Sequence, residues 1–238
     1  MERIGMPSPT DAVRVAFLEC RELVASLGDR LDAFADSLRR INPAFAGAVD
    51  RLVSRLQQAE VGAGAPKVGD PLPPFYLPDQ RGRIVSLPEM VANGPLAVVV
   101  HRGHWCPYCR INTRSLAEAQ PRIEAAGGQV VAIVPDRQRY ADRIREEAEG
   151  QFPILVDMDN GYAMSLNLVF WVGDEMRRFM TEAGVNLAEY QGNDSWMVPV
   201  PATFVVGTGG VIRERFVDPD YRKRMDLDEL LAALKSAL

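Results

Sequence analysis

Three short apolar runs constrain this chain more than anything else in it: Ala97–Val100 (AVVV), Gln129–Val134 (QVVAIV) and Phe152–Val156 (FPILV). Each has the length of a strand and lacks the polar alternation of a half-exposed one, so each reads as a strand buried on both faces. Between them lie stretches of helix length. One runs from Trp105 to about Ala126 and ends at Gly127-Gly128; Asp136 caps the next, which runs to about Gly150. Ser86-Leu87-Pro88-Glu89 is a capping box that opens a short helix ahead of the first run. Thr203–Val206 and Val211–Val217 flank Gly207-Thr208-Gly209-Gly210 as an antiparallel hairpin, and Asp226 caps a last helix with Leu227, Leu230, Leu231 and Leu234 on its inner face. Strands that alternate with helices and end in a hairpin predict an α/β fold: a mixed β-sheet covered by helices on both faces.

Residues 1–61 carry no strand signal. Ser8 is placed to cap a helix that has Pro9 at its first position and Asp11 at the positive end of its dipole. Val13, Phe17, Cys20, Val24, Leu27, Leu31, Phe34, Leu38 and Ile41 then recur at steps of three and four, with Gly28 as the candidate break. Asn42-Pro43 starts another helix, carrying Phe45, Val49, Leu52 and Leu56. So small a helical arm cannot bury two apolar seams alone. It either docks on its own domain or packs against a second copy as a dimerisation arm. Residues 62–74, GAGAPKVGDPLPP, read as linker and entry loop, ahead of a domain over 67–238.

Composition closes off several function classes. With 47% hydrophobic and 25% charged residues the chain is an ordinary globular protein. Its 27 Lys+Arg and 32 Asp+Glu are scattered and give a net charge of −5, which argues against nucleic acid as a partner. No apolar run approaches the roughly 18–20 residues of a membrane span, which argues against a membrane partner. The opening MERIGMPSPTDAVRVAF has no secretory h-region, so a cytoplasmic location is expected, where a dithiol rests reduced. Three cysteines are too few for a disulfide scaffold.

Two of those cysteines form Cys106-Pro107-Tyr108-Cys109 where the strand gives way to the helix. Unpaired N–H groups and the dipole of a first helical turn stabilise an anion, so a thiolate at Cys106 is favoured and nucleophilic. Pro107 lacks an N–H and suits that turn. Cys109, one turn on, lies on the same face, can attack a species formed on Cys106, and is expected to be buried and less acidic. Arg102, Gly103, His104 and Trp105 form the approach. Arg102 is either an electropositive neighbour of the thiolate or a solvated arginine. His104 either tunes the thiolate or is an exposed loop histidine, and Trp105 shields the pair. His101 and His104, the chain's only histidines, complete a His-x-x-His-x-Cys-x-x-Cys set of zinc-competent ligands. That set is too tightly spaced for the usual two-pair zinc site, so no metal or other cofactor is expected. Cys20, in the apolar seam, reads as a packing residue.

The stretches KVGDPLPPFYLPDQRGRIVSLPEM and VVVHRGHWCPYC resemble the opening of the alkyl hydroperoxide reductase/thiol-specific antioxidant (AhpC/TSA) superfamily, in its peroxiredoxin-like members. FPILVDMDNGYAMSLNLVF and NDSWMVPVPATFVVGTGGVI are similar to later segments of that family. The resemblance covers residues 67–238 and implies a thioredoxin-like fold, with Pro201 as a cis-proline facing the cysteine pair. It also implies a thiol-dependent antioxidant oxidoreductase. Cys106 would attack a hydroperoxide, Cys109 would resolve it, and an external thioredoxin-, glutaredoxin- or glutathione-type thiol would recycle the disulfide. The family's Thr or Ser three residues before the attacking cysteine is Gly103 here, its Pro seven before is Val99, and the arginine near the Pro201 strand is missing. CPYC is also a glutaredoxin dithiol. Alternative readings are therefore a protein disulfide oxidoreductase with little peroxidase activity, or a redox-sensing module with the helical arm as output. A homodimer is expected.

Overall fold

Helical periodicity over the first sixty residues resolves into three helices. The computed structural model describes residues 9–238, so the Ser8 cap lies outside the described residues. Helix α1 spans Pro9–Arg21, α2 Leu27–Ile41 and α3 Pro43–Gln58. The break falls ahead of Gly28, because the Ser26 side chain accepts from Asp29 N at 3.1 Å and starts α2 afresh. Val24, expected in the seam, falls in the non-helical link between α1 and α2 and stands 99% exposed. Phe17, Cys20, Leu27, Leu31, Phe34 and Leu38 are buried as their spacing predicts. Asn42 caps α3 by accepting from Phe45 N at 3.0 Å.

After a turn-rich stretch come β1 (Tyr76–Pro78), β2 (Ile84–Ser86) and α4 (Leu87–Val91). Ser86 caps α4 through Glu89 N, as its capping box predicts. The β1–β2 hairpin is invisible to pattern reading, since each strand has three residues and Tyr76 and Ile84 are exposed. Next are β3 (Leu96–Val100), α5 (Pro107–Ala125), β4 (Gln129–Val134), α6 (Gln138–Ala148) and β5 (Ile154–Val156). Helix α5 ends where the glycine pair predicts: Gly127 has φ +74°, and Gly128 N reaches back to Ile123 O at 3.0 Å.

An excursion follows, comprising α7 (Gly161–Ser165), β6 (Val169–Trp171), α8 (Asp174–Glu182), α9 (Leu187–Gln191) and β7 (Met197–Pro199). The chain then returns through β8 (Ala202–Val206), β9 (Ile212–Val217) and α10 (Leu227–Ser236). The main sheet has the order β5-β4-β3-β8-β9; β3, β4 and β5 run parallel, and β8 and β9 pair antiparallel. Period-2 alternation still operates inside its apolar runs. Val98, Val100, Val131 and Ile133 face one core, while Val99, Val130, Ala132 and Val134 face the other with Leu116, Ile144 and Leu234. A layer of helix lies over each face, which is why the runs are apolar on both sides apart from Gln129 at the start of β4.

The first three helices join the core that holds the dithiol. Phe34 meets Tyr108 edge-on at 5.2 Å and Phe17 at 6.3 Å between ring centroids, and the Arg110 guanidinium lies 4.1 Å over the Phe17 ring. The largely buried Arg30 pairs with Glu118 of α5 at 2.8 Å, and Arg51 of α3 with Glu175 of α8 at 2.6 Å. Among the described residues no helix is long and apolar enough to cross a membrane.

Candidate active site at the start of α5

Strand β3 delivers the chain to the site. His101 N still donates to Ile133 O at 2.9 Å, which continues the β3–β4 ladder by one residue. The fully buried His101 ring is turned onto α5, with Nε2 3.3 Å from Asn112 Nδ2 and Nδ1 3.3 Å from Thr113 Oγ1. Burial first, and the Arg224 charge second, push its pKa down to about 3, so it is a neutral packing residue at working pH. Among the described residues no three His, Cys, Asp or Glu side chains converge as metal ligands.

The turn at Gly103 has φ +128° and sets Cys106 as the N-cap of α5, with Pro107 at the first helical position. Cys106 is 1% exposed and Cys109 0%. Both are free thiols, and the Cys109 thiol hydrogen-bonds the Cys106 sulfur. Burial acts to raise the Cys106 pKa; the bond from Cys109 and the charges of Arg102 and Arg224 outweigh it and bring the value down to about 5. Burial and the neighbouring Cys106 sulfur push Cys109 well up. The pair therefore divides into a thiolate and a thiol at neutral pH, the division a nucleophile and its resolving partner require. Cys20, also buried, is raised by burial.

Arg102 is 2% exposed. Its guanidinium is sandwiched between the Tyr221 ring at 3.8 Å and the Trp105 ring at 4.7 Å, and Nη1 lies 4.0 Å from the Cys106 sulfur. Its backbone N donates to the Cys109 sulfur at 3.3 Å. Tyr108 is buried with its ring edge against Tyr221 and Phe34. His104 is buried as well: its Nε2 meets Glu147 Oε1 at 2.8 Å and its ring stacks on Tyr140 at 6.0 Å.

Two expectations are overturned here. Asp136 does not cap α6, whose N-cap is Arg137; its carboxylate turns instead toward the dithiol loop and accepts from His104 N at 2.6 Å. That amide lies in a buried loop with no ladder partner, and pairing it outweighs a cap open to water. Pro201 is not cis, since the described residues contain no cis peptide bond. Val200 N donates to Leu168 O at 2.6 Å, so the chain enters β8 already extended, a course the trans form accommodates.

Arg224, in the loop after β9, is the site residue that sequence reading missed. Its Nη2 donates to the Cys109 sulfur at 3.2 Å, and Nη1 is anchored on Tyr221 O and Lys223 O. The neighbouring Arg222 ties the same loop to the arm, pairing with Asp220 and with Asp50 of α3, each at 2.8 Å. Nothing in the local sequence DYRKRMD separates the arginine that reaches the sulfur from the one that pairs with acids. Replacing Arg224 by Gln is expected to move the thiolate titration of Cys106 upward from about 5, a loss of about tenfold in acidity. Absorbance of the thiolate against pH reads this; an unchanged midpoint would refute the role.

Residues 68–215 match the AhpC/TSA family. Among solved structures the chain is similar to the peroxidoxin BcpB from Mycobacterium tuberculosis, at 19% identity and a TM-score of 0.56 over 72% of this chain and 98% of that one. It is also similar to a yeast mitochondrial 1-Cys peroxiredoxin (16%, TM-score 0.54, 70% of this chain and 73% of that one). A third is the Xanthomonas campestris bacterioferritin comigratory protein (14%, TM-score 0.51, 68% and 90%). No curated protein matches the chain in sequence. The structural likenesses carry the thioredoxin-like fold, and the family match spans most of the chain, including the strand, the turn and the cysteine pair. The chain belongs to the AhpC/TSA family of thiol peroxidases and related thiol oxidoreductases.

Proposed function

We propose that this chain reduces hydroperoxides, with Cys106 as the attacking thiolate, Cys109 as the resolving thiol and an external dithiol of the thioredoxin type as reductant. The observation that carries this reading is a cysteine held near pKa 5 while 1% exposed. A buried thiolate beside Arg102, whose guanidinium Tyr221 and Trp105 flank, suits an oxidant as small as a hydroperoxide. A disulfide on the surface of a folded protein could not meet a sulfur that is 1% exposed without moving the side chains around it. In the reaction the Cys106 sulfur forms an S–O bond as the O–O bond breaks, giving a sulfenic acid and an alcohol. Cys109 then attacks that sulfur, water leaves, and the Cys106–Cys109 disulfide awaits two electrons from the reductant. The spacing of i and i+3 on one helix face keeps the two sulfurs in contact for that closure. The Xanthomonas relative is described for alkyl peroxide reduction, and the yeast relative for resolution by glutathione/thioredoxin systems, in keeping with this assignment.

The test is a stopped-flow comparison of oxidants on the reduced protein. Hydrogen peroxide or tert-butyl hydroperoxide is expected to oxidise the dithiol faster than oxidised glutathione or insulin at equal concentration. Brisk oxidation by the disulfides with indifference to peroxide would replace this reading with disulfide exchange. An oxidation-dependent change of oligomeric state with neither turnover would favour a sensor.

A further inference from the structure

Buried polar atoms almost always find a partner, yet four around the loop that leads to Cys106 have none among the described residues: Arg102 Nε, His104 Nδ1, Trp105 Nε1 and Asp136 Oδ1. Two of them share one place. Asp136 Oδ1 and Trp105 Nε1 lie 2.5 Å and 2.8 Å from the point a Cβ would occupy on Gly103. Asp136 is 0% exposed, and its other oxygen is held by His104 N at 2.6 Å, so the free oxygen has a set direction.

We infer that Asp136 is the proton donor to the leaving oxygen when Cys106 attacks a hydroperoxide, with the Trp105 indole N–H aligned on the same oxygen. This rests on the peroxidase reading above. The sulfur electron pair attacks the oxygen that bears hydrogen; the S–O bond forms, the O–O bond breaks, and sulfur is oxidised as the peroxide is reduced. The departing alkoxide takes the Asp136 proton and leaves as alcohol, and the carboxylate regains a proton from water. An unprotonated alkoxide in so dry a site would be costly, and a placed general acid is worth about 10²–10⁴-fold.

The protonation states suit the division of labour. Burial, helped by the Cys106 charge and opposed by the His104 N–H, pushes the Asp136 carboxyl up to about 7. Between about pH 5 and 7 a thiolate at Cys106 and a neutral acid at Asp136 therefore coexist in the site. The ionisable groups facing Asp136 are Cys106 and His104 from the dithiol loop, Glu147 of α6 behind His104, and Tyr190 of α9. Arg137 beside it, with Asp79 and Asp159, lines the cavity on its outer side. Glu147 and Asp79 are held below the usual carboxylate range, and Tyr190 above the usual phenol range, so none of the three titrates here.

Alkylation of Cys106 by iodoacetamide needs the thiolate but no proton donor, so the ratio of hydroperoxide oxidation to alkylation isolates the donor. In the wild type this ratio is expected to fall about tenfold from pH 6 to pH 8 as the acid is lost. In Asp136→Asn it should be flat and, at pH 6, about 100-fold lower, with alkylation as fast as or faster than wild type. In His104→Gln the fall should persist. A flat ratio in the wild type overturns the proposal whether or not Asp136→Asn folds. So does a fall that survives in Asp136→Asn or disappears in His104→Gln. A wild type that is alkylated but never oxidised by peroxide overturns the peroxidase reading itself.

Discussion

Cys106→Ser is expected to reduce oxidant turnover to the uncatalysed background, a loss on the order of 10⁴-fold or more, as when a nucleophile is removed from other enzymes. The reason lies in ionisation as much as in sulfur chemistry. At pH 7 a group held near pKa 5 is almost wholly thiolate. A serine hydroxyl in the same cradle stays neutral and does not attack an O–O or S–S bond. Cys109→Ser separates the two half-reactions. Its hydroxyl can still donate to the Cys106 sulfur, so the first oxidation should keep most of its rate, while closure of the disulfide is lost. One equivalent of oxidant is then consumed per chain, and a sulfenic acid accumulates that dimedone traps for mass spectrometry. Sustained turnover by Cys106→Ser, or undiminished multiple turnover by Cys109→Ser with a dithiol reductant, would reverse the assignment of roles.

Gly103→Ala should produce a large loss of stability for a single methyl group. At φ +128° an L-residue is strained by about 1–3 kcal/mol. The methyl would also come within 2.5 Å and 2.7 Å of the two Asp136 oxygens and 2.8 Å of Trp105 Nε1. None of these neighbours is the free end of a flexible side chain: Asp136 is fixed by His104 N, and Trp105 lies beneath the Arg102 guanidinium. A total of roughly 3–4 kcal/mol follows, which for a chain of this size lowers Tm by about 10 °C. Calorimetry reads it directly. A Tm within 2 °C of wild type would mean that the loop yields freely, and the preorganisation argued for Asp136 would fall with it.

Much of this arrangement was legible in order along the chain. The buried strands β3 and β4, the end of α5 at Gly127-Gly128, the Ser86 and Asp226 caps and the closing hairpin all follow from local spacing and turn chemistry, and the structure places them within a few residues. The excursion from α7 to β7 was not legible, because its strands are three residues long and its helices short. Val24 shows the limit of periodicity, since a run of apolar residues at helical spacing does not reveal the non-helical link that ends before the Ser26 cap.

By itself the sequence determined that a strand ends at His101, that a helix begins at Cys106, and that two cysteines share one face of its first turn. Those are properties of neighbouring residues, governed by backbone geometry over four or five positions. Only the tertiary structure decided that Arg224 and Tyr221, more than a hundred residues on, converge on that turn from the loop after β9. It also turned Asp136 from a helix cap into a buried carboxyl bonded to the dithiol loop. Acidity in a dry site depends on which charges and orphaned polar groups the fold brings together, and long-range packing sets that juxtaposition without leaving a local pattern in the sequence.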